Sequence, residues 1–168
     1  AALTQRFEHQ SLHDPLTGLA NRSLFGSQME QAWSHHKRHG RGLVVIVLDL
    51  DDFKTINDRH GHHVGDQVLI EVARRTQTCV RDSDTVARLG GDEFAIILPE
   101  ADLADAQAVA DRVRRELARP IAIAGEPHRA AASIGIARAT EDQQTAGDLL
   151  READAAMYVD KAANRERD

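Results

Sequence analysis

Cysteine and long hydrophobic runs are nearly absent from this sequence. The single cysteine, Cys79, excludes an intramolecular disulfide framework and favours a reducing compartment, where it would pack as a small helix residue. The longest apolar run, Leu43 to Leu48, is far too short to cross a bilayer. We therefore expect a soluble, cytoplasmic domain that makes no membrane contact of its own.

Basic residues are also too few for a nucleic-acid-binding surface. The 21 lysines and arginines are outnumbered by 27 acidic residues, which gives a net charge of −6 at pH 7. A protein that binds duplex nucleic acid needs a basic face to neutralise phosphates, so nucleic acid is not an expected partner. Any phosphate bound by this chain requires local cations or a metal ion.

The remaining composition is that of one globular domain. The 168 residues are 42% apolar and 29% charged, which is enough to bury a substantial core. The opening stretch AALTQRFEHQSLHD has no initiating methionine and carries Leu3, Phe7 and Leu12 at loose helical spacing. We expect residues 1–12 to end a signalling helix or linker from an upstream sensory or regulatory domain, and residues 13–168 to form the domain. A larger, membrane-bound sensor with this domain as its cytoplasmic output fits that division.

Periodic apolar residues predict an alternation of helices and strands. A first helix, capped by Asn21 or Ser23 and ending near Gly40, presents four large residues to the core: Leu24, Phe25, Met29 and Trp33. The stretch GLVVIVLDLDDF predicts a central strand, because both of its faces are apolar. Further helices are predicted at 64–80, at about 103–118 and at 147–163, and a further strand at 129–139.

The segments DTVARL and DEFAIILP predict a hairpin with a two-residue loop. Gly90 and Gly91 lie between them and adopt positive φ at no steric cost. The element order then becomes β-α-β-β-α-β with a helix before and after. That order predicts an α+β, split-βαβ (ferredoxin-like) fold in which a central antiparallel sheet is flanked by helices.

Carboxylates follow the predicted central strand. Alternation places Asp49 and Asp51 on one face at its carboxyl end, where clustered acids repel one another unless a cation lies between them. A calcium loop is excluded, because Phe53 and Lys54 stand where it needs an Asp or Asn and a glycine. A few hard oxygen ligands suit Mg²⁺, whereas the alternative is a solvated strand end.

The predicted hairpin brings two further carboxylates. Its turn places Asp92 and Glu93 at the tip, on opposite faces of the strand. One of them would complete a metal site with Asp49 while the other acts as a base. The two glycines would let a flat ring or a phosphate approach the backbone closely.

Four segments together resemble the GGDEF family of diguanylate cyclases: HDPLTGLANR at 13–22, DLDDFKTIND at 49–58, GHHVGD at 61–66 and GGDEF at 90–94. Their order and spacing match over almost the whole chain. The resemblance implies the palm-like, nucleotide-cyclase form of the split-βαβ fold. It also implies a reaction in which two GTP molecules, each held by one domain of a homodimer, are joined into cyclic di-GMP with loss of pyrophosphate.

The resemblance also implies the chemistry of individual residues. Asp49, Asp92 and the backbone carbonyl of Leu50 would bind Mg²⁺, with Mn²⁺ as a second candidate ion, and Glu93 would help to bind metal or remove the 3′-hydroxyl proton. The implied catalytic residues are Glu93, Asp92 and Lys54, the last in a loop that would cradle phosphates. The implied substrate contacts are Phe53 of the same loop, the hairpin glycines Gly90 and Gly91, the guanine-reading pair Asn57 and Asp66, and the phosphate-binding pair Lys161 and Arg165.

Some of these positions have simpler interpretations. Asn57 and Asp66 also suit a turn residue and a helix N-cap, and Lys161 with Arg165 also complements a helix C-terminus. The chain departs from the family at Asn164, where glycine is usual, and at Glu166, where asparagine is usual. Because asparagine is the second choice for a left-handed helix cap, we expect the helix to end there.

The segment RDSD has the spacing of the family's inhibitory product site, five residues before the glycines. The resemblance implies that Arg81 and Asp84, with Arg112 from the next helix, bind cyclic di-GMP. Arginine can grip a guanine edge or a phosphate bidentately, and aspartate accepts from the guanine amino group.

Two other patterns have structural explanations. In DPLTGLANR we expect Asp14 and Arg22 to form a turn and an ion pair. Two histidine groups, 35/36/39 and 60/62/63, are better explained as a solvated helix face and a loop than as zinc sites, because no cysteine or third ligand accompanies the first group.

The sequence therefore predicts a Mg²⁺-dependent diguanylate cyclase that acts as a homodimer. Two other functions stay open. One is a catalytically silent receptor that binds cyclic di-GMP, which the intact GGDEF segment disfavours. The other is a regulatory domain that binds GTP to tune a fused phosphodiesterase.

Overall fold

The computed structural model describes residues 11–167. The predicted helix or linker at 1–12 therefore lies almost entirely outside the described residues. The elements, in chain order, are α1 (Arg22–His39), β1 (Leu43–Leu50), α2 (Phe53–His60), α3 (His62–Thr78), β2 (Thr85–Gly90), β3 (Glu93–Pro99), α4 (Leu103–Ala118), β4 (Ile121–Ile123), β5 (Glu126–His128), β6 (Ala132–Arg138) and α5 (Ala146–Arg167). None of the helices among these residues is both long and apolar enough to span a membrane.

The main sheet has four antiparallel strands in the order β2-β3-β1-β6. Strand β1 lies at its centre, with Ile46 opposite Ile96 of β3 on one side and Ile136 of β6 on the other. The even-numbered side chains of β1 are buried under α3 and α4, and the odd-numbered ones under α1 and α5. The predicted α+β fold with a central antiparallel sheet flanked by helices is confirmed.

Local sequence signals explain the ends of two helices. Asn21 accepts from the backbone N–H of Leu24 at 3.0 Å and caps α1, which ends at Gly40 in the left-handed region. Helix α4 starts with a capping box between Asp102 and Asp105. The predicted bounds of both helices are confirmed. The predicted inward residues are also buried, except that Leu24 is only partly so.

The region after β1 differs from the prediction. Phe53 and Lys54 were expected in a loop, but Phe53–His60 forms helix α2, and α3 follows it from His62 to Thr78. The buried ring of Phe53 anchors α2 to the core, a tertiary contact that local polarity hides. The two-stranded ribbon of β4 and β5 was missed as well.

The hairpin loop is shifted by one residue from the prediction. Gly90 ends β2 and pairs with Glu93 across an irregular register, so the two loop residues are Gly91 and Asp92. Gly91 has a φ of 49° and Gly90 a φ of 143°. Because Asp92 lies in the turn rather than in β3, the expected alternation of Asp92 and Glu93 across the strand does not apply.

The turn before α1 forms with a different ion pair from the one expected. The carboxylate of Asp14 accepts from the backbone N–H and the hydroxyl of Thr17, and it pairs with Arg88 of β2 at 3.0 Å. Arg22 donates instead to the carbonyl of Leu89 at 3.2 Å. Both contacts fix the turn to strand β2. The buried Cys79 donates to the carbonyl of Arg75, as expected of a helix-packing thiol.

Candidate active site

The sheet register brings the acids of two strands together. Asp49, the last but one residue of β1, lies directly opposite Glu93, the first residue of β3. Directly opposed residues on an antiparallel pair point to the same face, here the face covered by α5. The backbone N–H of Leu50 donates to the carbonyl of Asp92 at 3.2 Å, which holds the hairpin loop against the end of β1.

Asp49 is paired on one side and unpaired on the other. Its Oδ2 accepts from Lys161 Nζ of α5 at 3.0 Å, and both side chains are at most 20% exposed. Its Oδ1 is buried and has no hydrogen-bond partner among the described residues. A buried carboxylate oxygen without a donor is costly, so this atom is suited to a cation.

Asp92 lies close enough to Asp49 for their charges to interact. Burial raises the pKa of Asp92 above its usual value, and the negative charge of Asp49 raises it further, while Lys161 opposes the shift. Two half-buried carboxylates that repel each other are relieved by a shared cation. This pair is therefore the strongest candidate for a metal site.

Glu93 has a separate environment at the same edge of the sheet. Burial raises its pKa, the negative charge of Asp154 on α5 raises it further, and Arg22 opposes the shift. A glutamate with a raised pKa is a better proton acceptor than an ordinary surface glutamate. The arrangement is compatible with a base beside the Asp49–Asp92 pair.

The donor set fits a divalent ion of the hard class. Among residues 11–167, no group of three His, Cys, Asp or Glu side chains is arranged to hold a metal ion. Two carboxylates and the nearby carbonyl of Leu50 are few ligands for Ca²⁺ or Zn²⁺. They suit Mg²⁺, which typically takes one or two carboxylates and completes its shell with water and substrate phosphates.

A cavity of about 220 Å³ opens beside these acids. Its walls come from the end of β1, the first turn of α2, the hairpin loop and the last turns of α5; they are Leu50, Asp51, Asp52, Phe53, Lys54, Thr55, Asp92, Lys161, Asn164 and Arg165. Five residues of the β1–α2 and α5 segments that were predicted to bind substrate or metal thus line one cavity: Leu50, Phe53, Lys54, Lys161 and Arg165. Gly90 and Gly91 lie beside the cavity, at the hairpin tip.

The first turn of α2 forms one wall of the cavity. Asp52 precedes it in the left-handed region, with a φ of 57°, and the helix begins at Phe53. The first N–H groups of a helix lack partners within the helix and form an anion site. The phosphate-binding backbone predicted at Phe53 and Lys54 is therefore a helix N-terminus rather than a loop, and the Phe53 side chain itself is buried.

The predicted guanine pair lies where α2 meets α3. Asn57 is within α2 and the exposed Asp66 within α3, so neither the turn interpretation nor the N-cap interpretation holds; Gly61 is the cap of α3. Gly65 lies within α3, where the two helices meet, and a Cβ there would lie 1.8 Å from Asn57 Oδ1. The glycine thus makes room for the Asn57 side chain.

Helix α5 continues past the position where an end was expected. Asn164 lies inside the helix, which extends to Arg167, and it has no positive φ. Its side chain instead reaches Asp51 and Ser133. The contacts of Asn164 with Ser133 and Asp51 were not predicted from the sequence. The strand alternation did place Asp51 on the same face of β1 as Asp49.

The residues predicted for the product site lie at the other end of the hairpin, about 20 Å away for a six-residue strand. Asp84 is buried, and its Oδ2 accepts from the backbone N–H of Arg81 at 2.8 Å. Its Oδ1 has no hydrogen-bond partner among the described residues, but it forms an ion pair with the Arg81 guanidinium at 3.6 Å. Arg112 reaches the same place by donating twice to the carbonyl of Cys79.

Comparison with known proteins supports the class that this geometry defines. The family model described as "Diguanylate cyclase, GGDEF domain" matches residues 11–167. The chain belongs to the GGDEF domain family. Enzymes of this family generally use a divalent metal ion.

Two relatives and two crystal structures show how similar the chain is to known members. The bifunctional diguanylate cyclase/cyclic di-GMP phosphodiesterase MucR of Pseudomonas aeruginosa is 45% identical over 155 residues, which are 92% of this chain and 23% of MucR. Diguanylate cyclase TpbB of the same organism is 43% identical over 94% of this chain and 37% of TpbB. The chain thus spans less than two fifths of the length of either relative.

The structural matches cover whole domains. A structure of TpbB comprising only the GGDEF domain has a TM-score of 0.86 at 43% identity, covering 90% of this chain and 89% of that one. The GGDEF domain of DgcB from Caulobacter crescentus, solved with cyclic di-GMP, has a TM-score of 0.86 at 31% identity, covering 90% and 91% of the two chains.

Proposed function

We propose that this domain is a diguanylate cyclase that condenses two GTP molecules into cyclic di-GMP and two pyrophosphates. The observation that carries the proposal is the meeting of Asp49, Asp92 and Lys161 at a cavity whose far wall is the N-terminus of α2. This combination supplies acids for a metal ion and cations for a triphosphate in one place. Membership of the GGDEF family agrees with it.

Each group has a task that its position suits. Asp49, Asp92 and the carbonyl of Leu50 would hold Mg²⁺ or Mn²⁺, which supplies Lewis acidity at the α-phosphate. Lys54, Lys161 and Arg165 neutralise phosphate charge, together with the N–H groups that begin α2. Glu93, beside the acid pair, accepts the proton of the attacking 3′-hydroxyl.

The reaction requires two copies of the domain. One cavity of this size and charge holds one triphosphate, whereas the product contains two nucleotides. We therefore propose a homodimer in which each domain presents one GTP to the other, located in the cytoplasm where GTP is supplied. An upstream sensory or regulatory domain preceding residue 13 would control how the two domains pair.

Incubation of the purified domain with GTP and Mg²⁺, followed by mass spectrometry, tests this function. We expect cyclic di-GMP and two molecules of pyrophosphate for each one formed. ATP in place of GTP should give no cyclic product, because adenine lacks the pair of donors from which a carboxylate such as Asp66 can accept hydrogen bonds. Hydrolysis of GTP without a cyclic product would reject the proposal.

The α2–α3 contact gives a prediction about guanine recognition. Gly65→Ala should weaken GTP affinity about tenfold, the effect of one lost hydrogen bond, because the new Cβ displaces the Asn57 side chain. The Cβ would also lie 3.2 Å from Cζ of the buried Phe53 ring, so the melting temperature should fall slightly, although alanine favours the helix. Titration calorimetry with GTP in the absence of metal measures the affinity. An unchanged affinity would remove Asn57 from the guanine site.

The distal site provides product inhibition in this proposal. The buried Asp84 supports it, since its Oδ1 accepts no hydrogen bond from the described residues and lies 3.6 Å from the exposed guanidinium of Arg81. In Arg81→Ala we expect the inhibition constant for cyclic di-GMP to rise about tenfold to a hundredfold, the loss expected for a charge-assisted hydrogen bond. Arg151→Ala, which removes an exposed arginine that pairs with Asp148 in the part of the chain that the structure describes, is the matched control. Equal inhibition of Arg81→Ala and wild type would exclude the site.

Two other functions have some support. MucR is named as both a diguanylate cyclase and a cyclic di-GMP phosphodiesterase, and a GTP-binding regulatory domain would need such a fused phosphodiesterase to act on. The complex of the DgcB domain with cyclic di-GMP agrees with a receptor. Both functions predict nucleotide binding without turnover in the experiment with GTP and Mg²⁺.

A further inference from the structure

A network of three polar side chains joins the end of β1 to helix α5. The hydroxyl of Ser133, which is fully buried, donates to Asp51 Oδ1 at 2.6 Å. Asn164 Nδ2 lies 3.3 Å from Asp51 Oδ2 and 3.1 Å from Ser133 Oγ. Both carboxylate oxygens of Asp51 are therefore hydrogen-bonded, one to a strand residue and one to a helix residue.

Asp51 lies two residues before the start of α2, whose first turn forms one wall of the cavity. Its backbone N–H donates to the carbonyl of Ala131 at 2.7 Å, so the main chain and the side chain of this residue are both fixed. The next residue, Asp52, adopts a left-handed conformation that a non-glycine residue keeps only when its surroundings enforce it. The network supplies that constraint at the turn that aims the first N–H groups of α2.

Asn164 stands between the two cations of α5 that line the same cavity. Lys161 precedes it by three positions and Arg165 follows it directly. Its amide thus ties the helix that carries the cations to the turn that carries the backbone donors. The cations of α5 and the backbone donors of α2 keep a fixed separation only if the Asn164 amide stays hydrogen-bonded to Asp51.

From this geometry we infer that Asn164, through Asp51 and Ser133, is a positioning residue for the triphosphate of GTP. The inference rests on the proposed function and adds to it a determinant that the usual family residue, glycine, cannot provide, since glycine has no side chain. In this chain α5 continues as a helix through position 164, and the Asn164 amide aligns the cations of α5 with the backbone donors of α2.

The decisive variant is Asn164→Ala. Alanine favours a helix more than asparagine does, so the fold should survive and the melting temperature should stay close to that of wild type. Affinity for 3′-deoxy-GTP with Mg²⁺, a substrate analogue that cannot be cyclised, should fall about tenfold by calorimetry, as for the loss of one hydrogen bond to a charged group. In turnover, KM for GTP should rise by a similar factor while kcat changes less than about twofold, because the reacting groups are untouched. Val159→Ala, 72% exposed on the same helix, should match wild type.

Exchanging the two partners separates positioning from general damage to the helix. Asn164→Asp alone places a second carboxylate beside Asp51 and should weaken analogue binding more than Asn164→Ala does. Adding Asp51→Asn restores one acid and one amide in reversed places, and the double variant should recover most of the wild-type affinity. A merely structural role would not give recovery in affinity at an unchanged melting temperature.

The outcomes are distinguishable. If wild type binds the analogue and Asn164→Ala binds it equally well, the positioning role is overturned while the proposed function stands. If Asn164→Ala lowers the affinity but the exchanged pair does not recover it, the role assigned to the Asp51 contact is overturned. If wild type itself fails to bind the analogue, both the inference and the proposed function fail.

Discussion

Glu93→Gln is expected to abolish cyclic di-GMP formation while leaving the domain folded. The substitution removes a proton acceptor at the edge of the Asp49–Asp92 pair, and loss of general base catalysis typically costs about 10²- to 10⁴-fold in rate. Glutamine has nearly the same shape, and burial and the negative charge of Asp154 already disfavour the ionised form of Glu93. The melting temperature should therefore stay the same or rise slightly. Mass-spectrometric quantification of the product at saturating GTP measures the rate.

An exposed glutamate provides the control for this variant. Glu126 lies in the small β4–β5 ribbon, away from the acid pair, so Glu126→Gln should turn over GTP like wild type. A rate for Glu93→Gln within about threefold of wild type would be far too small a loss for a general base and would rule out the assigned role.

Gly135→Ala is expected to destabilise the domain strongly. A Cβ at this position would lie 2.0 Å from the carbonyl oxygen of Ala153 and 2.2 Å from the backbone nitrogen of Met157. Both are main-chain atoms of α5, which cannot rotate away as a side chain would. Overpacking of this kind costs about 3 kcal/mol or more, a large share of the stability of a typical domain. Urea denaturation followed by circular dichroism measures the loss.

The effect of Gly135→Ala should extend to the active site. Helix α5 carries Lys161 and Arg165, so pushing it away from β6 moves both cations relative to Asp49. Activity should fall even under conditions where the variant is still folded. Gly26→Ala in α1 is the matched control, because among residues 11–167 no atom outside the adjoining helix backbone lies within 4 Å of the new Cβ; it should stabilise the fold by about 0.5 to 1 kcal/mol. Equal urea midpoints for Gly135→Ala and wild type would show that α5 does not dock as described.

The parts of the fold that follow from local pattern could be predicted from the sequence. The doubly apolar stretch that forms β1 identified the centre of the sheet, and the periodic apolar residues of α4 gave its bounds as observed. Caps such as Asn21 and Gly40 placed the ends of α1. In each of these elements the local residues that make the sequence pattern also determine where the helix or strand lies.

The parts that depend on tertiary contacts could not be predicted in this way. Helix α2 is short and mostly polar, and it is held in place by the burial of Phe53 and the partial burial of Ile56 against the core. The position of the hairpin loop is decided by the irregular register at Gly90, which alternation cannot show. The partner of Asp14 is Arg88 rather than Arg22, since the turn docks on β2.

The candidate site shows the same division. The acids at the ends of β1 and β3 were evident from spacing, and the register shows that Asp49 lies directly opposite Glu93. The interaction of Asp49 with Lys161 at 3.0 Å depends on how α5 packs, and only the resemblance to the family placed that residue near phosphates. Asn164 was noticed as a departure, but its role could not be deduced without its distances to Asp51 and Ser133.

The rate of cyclic di-GMP formation per mole of domain, followed across a range of protein concentrations at saturating GTP and Mg²⁺, tests the central claim most directly. If two copies must each bring one GTP to the joint site, the specific rate should rise in proportion to protein concentration and level off once the dimer is saturated. The product formed at every concentration should have the mass of cyclic di-GMP. Binding of GTP without any cyclic product at the highest concentration would contradict the account.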